Sequence, residues 1–148
     1  MKIINFVVIF IILFFPICVQ AAPLWKAVFG EAVGEGYAGM YAVACCFRNR
    51  ELAGMCRGSC AENKELDVFI NKHPKIYRVL AKMAVKKAYK KGAKDTTKGA
   101  THFENIEAFG VPKYARNKQG HFNTSKYTIT AKIGRHIFFK RFHNRRRK

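Results

Sequence analysis

FGEAVGEGYAGMYAVACCFRNR, residues 29–50, carries parts of two predicted helices with a glycine-rich break between them. Apolar residues at four-residue spacing indicate the first helix, which begins near Pro23. Gly34 and Gly36 end this helix, because glycine is a poor helix former. A second helix is predicted over residues 38–50, where alanine, valine, cysteine and phenylalanine side chains share one face. We expect this pair of helices to begin the core.

Two of the chain's 9 acidic residues, Glu31 and Glu35, lie in this stretch, whereas 28 residues of the chain are basic. Glu31 is predicted at the end of the first helix beside Phe29, where apolar walls would hold its carboxyl group in the acid form. Such a group can donate a proton near neutral pH, as the cleavage of a glycosidic bond requires. The alternative is an exposed glutamate in a polar turn.

Glu35 follows Glu31 by four residues, the spacing that places two side chains on one helix face. On a continuous helix the two carboxylates would come close to the separation found in retaining glycosidases. Gly34 interrupts the helix, however. We therefore expect Glu35 to receive a backbone or arginine contact that holds the turn.

Residues 1–21 have the pattern of a secretory signal peptide. Lys2 precedes a long apolar run, and the small residues Val19 and Ala21 fit a cleavage site. The apolar run is short for a membrane span, so an uncleaved anchor is the weaker alternative. The sequence therefore predicts a secreted or periplasmic protein with one folded domain over residues 22–139.

The chain is strongly basic, with a formal net charge of +19. Removal of the signal peptide takes away Lys2 and lowers this charge to +18. So high a positive charge attracts polyanions, among them nucleic acid, anionic lipid head groups and cell-wall carboxylates. Export disfavours nucleic acid, so an anionic envelope is the expected electrostatic contact. The basic tail over residues 140–148 is predicted to be solvated and to add to this attraction, and we expect a monomer.

Four cysteines follow the signal peptide, and in an exported chain an even number indicates disulfides. Cys45 and Cys46 are adjacent and disfavour a bond to each other, because disulfide geometry strains so small a ring. Each is therefore predicted to bond to Cys56 or Cys60, in either of two pairings. The alternative is a zinc site, although the spacing is not a recognised ligand pattern.

The rest of the chain predicts an α+β fold, because helical patterns come first and a small β region comes late. Residues 50–66 have the glycines and irregular pattern of a loop. A helix is predicted from Pro74 to Lys91, with an apolar stripe that we expect to face the core: Ile76, Val79, Leu80, Met83, Ala84 and Ala88. The alternating segment over residues 127–139 predicts one or two strands.

A polar segment over residues 99–105, GATHFEN, has the residue types that bind sugars. Thr101, His102 and Asn105 supply hydrogen-bonding groups, and Phe103 supplies an apolar face for sugar C–H groups. His102 and His136 are candidates for a catalytic pair or for metal ligands, with structural histidines as the alternative. No carboxylate-rich cluster or phosphate-binding loop accompanies them, so neither a metal nor a cofactor is expected.

Three blocks of the sequence resemble the SleB-type cell-wall hydrolases, which include spore-cortex-lytic enzymes and related bacterial and phage muramidases. GEAVGEGYAGMYAVACCFRNR resembles the family's E-A-x-G-E…G-x-x-A-V-A…N-R. DTTKGATHFEN resembles D-x-T-x-G-A-T-H-F-x-N, and IGRHIFF resembles I-G-x-H-x-F-Y. The blocks occur in the family's order and together span Glu31 to Phe139.

The resemblance implies a small lysozyme-like α+β fold with a groove for peptidoglycan glycan strands. It implies lytic transglycosylase cleavage between N-acetylmuramic acid and N-acetylglucosamine, with Glu31 as the catalytic acid and base. The groove is expected to hold the remaining candidate substrate-binding residues: Thr101, His102, Phe103, Asn105, His136, Glu35 and Tyr114.

Three positions depart from the family pattern. Phe139 stands where a tyrosine is common, Tyr114 where a tryptophan is common, and Thr96 where a proline is frequent. A second hypothesis for the whole chain is a non-enzymatic cationic protein that binds an envelope or membrane on the same fold. The net charge and the basic tail motivate this alternative.

Overall fold

The computed structural model describes residues 23–55 and 64–142. The predicted signal peptide, Cys56, Cys60 and the tail beyond residue 142 lie outside the described residues. Within them, four helices of nine residues or more precede a small antiparallel sheet, so the predicted α+β class is confirmed. In this part of the chain no helix has the length and apolar character to cross a membrane.

Helix α2, Gly36–Leu52, is the centre of the helical layer. Every residue from Gly39 to Phe47 is buried, so the helix is covered on all sides rather than on the one predicted face. Its small residues allow this, because alanine and glycine let neighbouring helices approach closely. Helix α1, Leu24–Ala32, and a helix later in the chain pack directly against it.

The break between α1 and α2 is where glycines were predicted to end the first helix. A short 3-10 turn, Val33–Glu35, follows α1, and Gly36 then adopts a φ of 63°. A residue with a Cβ atom adopts this left-handed conformation only at a cost. The chain therefore changes direction here, and Glu31 and Glu35 do not share one continuous helix.

Helix α3, Lys64–Lys72, was not predicted, and its first residues belong to the segment assigned as a loop. Glu65 and Asp67 lie in its first turn and Lys72 in its last, which suits the helix dipole. Ile70 is its one residue in the buried core. A helix of nine residues is marginal on its own in water, so this one depends on its packing against α1.

Helix α4, Lys75–Ala88, confirms the predicted helix but corrects its buried face. Ala81, Ala84 and Ala88 are fully buried against α1 and α2. Of the stripe that we expected in the core, Ala84 and Ala88 are buried and Leu80 packs against the core, as predicted, whereas three residues are exposed: Ile76, Val79 and Met83. Apolar spacing identified the helix, but the close approach of α4 to its neighbours selects its alanine face for burial.

The sheet comprises β1, His102–Glu104, β2, Tyr127–Ile133, and β3, His136–Arg141, in the order β1-β3-β2. Both pairings are antiparallel, and β2 and β3 form the predicted strand pair. β1 was not predicted, because it has only three residues. A single-turn helix, α5, Ile106–Phe109, follows β1 and begins where the Asn105 side chain accepts a hydrogen bond from the Ala108 N–H.

Cys45 and Cys46 are buried within α2 and form no disulfide with another described residue. Their predicted partners, Cys56 and Cys60, lie outside the described residues, so the disulfides stay a prediction. The Cys45 thiol lies 3.9 Å from the Lys94 carbonyl oxygen, within the distance for a weak S–H hydrogen bond. Burial raises the pKa of the Cys46 thiol to about 12, so it remains protonated and unreactive. Both residues act as small side chains of the core.

Asp95 joins the loop before β1 to α2. Its carboxylate accepts hydrogen bonds from the Thr97 N–H at 2.8 Å and the Thr97 hydroxyl at 2.7 Å. It also accepts from the Gly99 N–H at 2.7 Å and from the Asn49 side-chain amide at 2.9 Å. Asn49 donates in turn to the Ala100 carbonyl at 3.0 Å. The first two resembling blocks of the sequence are therefore in direct contact.

We predict that Asp95→Asn lowers the free energy of unfolding by about 2 kcal/mol. The new side-chain NH2 group would face N–H and O–H groups that themselves donate, so hydrogen bonds would be lost. Burial alone would raise the pKa of Asp95, but the hydrogen bonds from Thr97, Asn49 and Gly99 outweigh it and lower the pKa. The stabilisation is therefore present above pH about 4 and is lost as the pH falls through the lowered pKa. Urea unfolding at several pH values measures both effects.

The matched control is Asp67→Asn, which removes an exposed carboxylate paired with Lys26 at 2.7 Å. A surface ion pair of this kind is expected to contribute less than about 1 kcal/mol. Equal losses in the two variants would contradict the assigned role of Asp95.

Candidate active site

A cleft of about 750 Å³ opens between the helical layer and the sheet. This volume lies within the usual range of small-molecule sites. Residues from all three resembling blocks line it, together with residues of α3 and α5: Gly30, Glu31, Val33, Gly34, Glu35, Phe47, Arg50, Phe69, His73, Phe103, Glu104, Asn105, Phe109, Arg135 and His136. The fold therefore brings segments more than 100 residues apart in sequence to one concave surface.

Glu31 lies in the cleft wall at the next-to-last position of α1. Phe47 and Phe103 line the same cleft, which provides the aromatic surface expected near this carboxyl group. The residue is nevertheless exposed, whereas the sequence predicted a carboxyl group enclosed by apolar walls. Its position at the end of a helix disfavours a negative charge there, because the C-terminal end of the helix dipole is itself negative.

Glu35 receives the predicted arginine contact. The Arg135 Nε donates to Glu35 Oε1 at 2.8 Å, and the Arg135 backbone N–H donates to Oε2 at 3.0 Å. The Glu35 side chain is only 8% exposed, although that of Arg135 is 62% exposed. The Arg135 hydrogen bonds lower the pKa of Glu35 despite the opposing effect of burial. Glu35 is thus a fixed anion that ties the α1–α2 break to the β2–β3 turn.

His136 lies in the cleft wall at the start of β3 and is 6% exposed. Burial lowers its pKa, with Glu35 opposing the shift in part, so the ring is neutral at neutral pH. Its Nδ1 atom is buried and has no hydrogen-bond partner among the described residues. The ring packs edge-on against Phe103, with 5.7 Å between the ring centroids. Phe103 and His136 thereby form one continuous part of the wall.

His102 lies on the other face of the sheet. It stacks on Phe139 with ring centroids 5.3 Å apart and planes 16° from parallel, and it contacts Tyr114 and Tyr127. Its Nδ1 lies 3.0 Å from the Thr101 hydroxyl. Burial is the main cause of its lowered pKa. Because side chains alternate along strands, His102 and His136 face opposite sides and do not form the catalytic pair considered above.

Three of the predicted groove residues therefore lie outside the cleft lining: Thr101, His102 and Tyr114. Phe139, which stands in place of the family's tyrosine, is fully buried in the aromatic cluster around His102. The four predicted groove residues that do line the cleft with Glu31 are Glu35, Phe103, Asn105 and His136.

Glu104 is a cleft residue that the sequence analysis missed. It follows Phe103 on β1, and its Oε1 accepts a hydrogen bond from the Tyr114 hydroxyl at 2.8 Å. Burial and then the Glu104 carboxylate raise the pKa of Tyr114 well above its usual value, so the tyrosine remains a donor. Tyr114 therefore acts on the cleft by orienting Glu104. Strand alternation would have placed Glu104 on the side of His102, so no local pattern in the sequence indicated its place in the cleft.

Phe69 and His73 were missed because α3 was not predicted. Both pack against Phe29, with ring centroids 6.1 Å and 5.5 Å away. They extend the aromatic surface of the cleft on the side of α1 that carries Glu31. The signal for them was an aromatic and a histidine at four-residue spacing, which suits one helix face.

Among the described residues, no group of three or more histidine, cysteine, aspartate or glutamate side chains is arranged to hold a metal ion. Comparisons with protein-family models, curated proteins and solved structures found no match to this chain. The function must therefore be argued from the cleft and from the three sequence blocks.

We predict that Gly134→Ala destabilises the protein by about 3 kcal/mol, through left-handed strain together with loss of a buried charged contact. Gly134 has a φ of 58°, and an added Cβ atom would overlap the Glu35 carboxylate. The substitution should therefore displace Glu35 from Arg135. Thermal or urea unfolding measures the loss.

Gly120→Ala is the matched control, since Gly120 also has a positive φ, of 83°, but has open space around the added atom. It should cost only about 1 kcal/mol, the strain alone. If the two alanine variants unfold alike, the contact with Glu35 has no energetic importance.

Proposed function

We propose that the protein is an exported peptidoglycan-degrading enzyme that cleaves the bond between N-acetylmuramic acid and N-acetylglucosamine. One observation carries the proposal: the three blocks that resemble SleB-type hydrolases converge on one cleft, and Glu31 lies in its wall. We also propose that the α+β fold is of the lysozyme-like type and that residues 1–21 are removed on export.

The composition of the cleft suits a glycan strand. Phenylalanine rings offer apolar faces to sugar C–H groups, and Asn105 offers a donor and an acceptor to hydroxyl or acetamido groups. Arg50 and Arg135 add positive charge, which attracts the carboxylates of muramyl groups and their peptides.

Glu31 is the proposed general acid and base. Its carboxyl group donates a proton to the bridging oxygen, and the bond from that oxygen to the muramic C1 breaks. The resulting carboxylate then accepts the proton of the muramic 6-hydroxyl, whose oxygen bonds to C1 and closes a 1,6-anhydro ring. Glu31 ends the cycle protonated, so one carboxylate is enough and no water enters the product.

Glu35 is unsuited to a second chemical role. Its two oxygens are held by Arg135, and its lowered pKa keeps it ionised. A nucleophilic carboxylate must be able to reach the sugar, which this contact opposes. A mechanism with one catalytic carboxylate, lytic transglycosylation, therefore fits the cleft better than a double displacement that uses Glu35.

The alternative is a cationic protein that binds an envelope without cleaving it. The high positive charge of the chain favours it, and the cleft would then be a binding groove only. The two functions differ in their response to salt, because attraction between exposed charges is screened over about 10 Å at 0.1 M ionic strength.

We predict that Glu31→Gln reduces the clearing of purified cell walls by at least about 100-fold, because the amide cannot donate a proton to the leaving oxygen. The loss of turbidity of sacculi measures the rate. Glu107→Gln is the matched control, since Glu107 is an exposed glutamate paired with Lys132 at 2.8 Å and does not line the cleft.

The control should clear walls like the parent, and both variants should keep the parent's circular dichroism spectrum. Parent-like clearing by Glu31→Gln would contradict the assignment of Glu31. Adhesion to walls that persists in both variants and disappears at high salt, with no clearing by the parent, would favour the non-enzymatic alternative.

A further inference from the structure

The outer face of α4 is apolar where a surface helix is normally polar. Ile76, Val79 and Met83 are 57%, 48% and 52% exposed, respectively. Their spacing of three and four residues places them side by side along the helix. We call these three residues the α4 apolar stripe.

The stripe departs from the usual arrangement, because α4 buries alanines while three of its large aliphatic residues are exposed; Leu80 and Val85 are partly buried and pack against the core. Ala81, Ala84 and Ala88 make the contact with α1 and α2. Burial of large apolar side chains is a main source of stability, so a helix that leaves three of them in solvent forgoes that gain. Contiguous apolar residues on a surface indicate an interaction site.

Basic residues border the stripe. The chain has nine lysines and arginines and no acidic residue between Asp67 and Asp95. Within α4, Lys75, Lys82 and Lys86 are exposed and adjoin the stripe. Lysine side chains can extend their charged ends past an apolar surface into a polar layer.

The positive charge beside the α4 apolar stripe indicates which kind of partner covers it. A second copy of the chain would bring another strongly positive surface to the same place, which electrostatic repulsion opposes. An anionic lipid bilayer offers negative head groups to the lysines and an apolar layer to the three side chains. A basic helix with one apolar face is the element that lies in such an interface.

We propose that α4 docks the protein on an anionic phospholipid bilayer. Ile76, Val79 and Met83 enter the boundary between head groups and acyl chains, and the bordering lysines bind the phosphates. This surface is independent of Glu31, so the inference does not rest on the proposed enzymatic function.

Vesicle binding tests the proposal. The exported, purified protein is mixed with vesicles of phosphatidylglycerol and phosphatidylcholine in equal parts, or of phosphatidylcholine alone. Trp25, the only tryptophan of the chain, reports docking, because the Lys82 ammonium lies 5.1 Å from the centre of its ring. We expect a blue shift of its emission and co-sedimentation with the anionic vesicles, at least about tenfold tighter than with neutral ones.

The decisive variant is the triple substitution Ile76→Ser, Val79→Ser and Met83→Ser. Its control is Leu52→Ser, Val68→Ser and Ile129→Ser, which removes three exposed apolar residues from other elements. The α4 triple should weaken binding to anionic vesicles by at least about tenfold, and the control by less than about twofold. Because all six positions are exposed, both triples should keep the parent's circular dichroism spectrum.

A second variant keeps the stripe and replaces Lys75, Lys82 and Lys86 with glutamine. It should also weaken binding, and added salt should have less effect on it than on the parent. Absence of binding to anionic vesicles would overturn the proposal. This is the result expected if the occupant of the stripe were an acidic protein instead of a bilayer. Equal binding by the α4 triple and its control would also overturn it, because binding would then depend on charge alone.

Discussion

The Asp95 carboxylate holds together the two halves of the structure. Its four hydrogen bonds fix residues 95–99 as a tight loop, and Asn49 attaches that loop to the central helix α2. β1 begins only a few residues later and pairs with β3. This charged group therefore helps to fix the position of the sheet against the helical layer, and with it the cleft, together with the Glu35–Arg135 contact and the shared core. The chain has only 9 acidic residues, and this one attaches the loop before β1 to the central helix.

The carboxylates at the cleft differ in their exposure to solvent. Glu35 is bound by Arg135 and connects the start of α2 to the β2–β3 turn. Glu104 accepts a hydrogen bond from Tyr114, which restricts its orientation. Glu31 is the exposed carboxylate at the end of α1. Glu35 therefore stabilises the fold, whereas the proposed chemistry is assigned to the exposed Glu31.

The helices α1, α2 and α4, the glycine break and the late strand pair were predictable, because each depends on local periodicity and glycine conformation. α3 and β1 were missed because such short elements are stabilised by tertiary contacts more than by their own sequence. The predicted buried face of α4 was wrong only for Ile76, Val79 and Met83, because apolar spacing cannot say whether alanines or larger residues approach a neighbouring helix. The disulfides expected from the cysteine count stay a prediction, because Cys56 and Cys60, the predicted partners of the buried Cys45 and Cys46, lie outside the described residues. The convergence of Glu31, Phe103 and His136 followed from the resemblance and not from their local patterns.

Mass spectrometry of the fragments released from purified sacculi tests the central claim most directly. If Glu31 passes the proton from the muramic 6-hydroxyl to the leaving oxygen, the products carry 1,6-anhydro-muramic ends. Reducing ends, heavier by one water, would contradict the intramolecular ring closure, and the absence of any released muropeptide would contradict the assignment of this cleft to glycan cleavage.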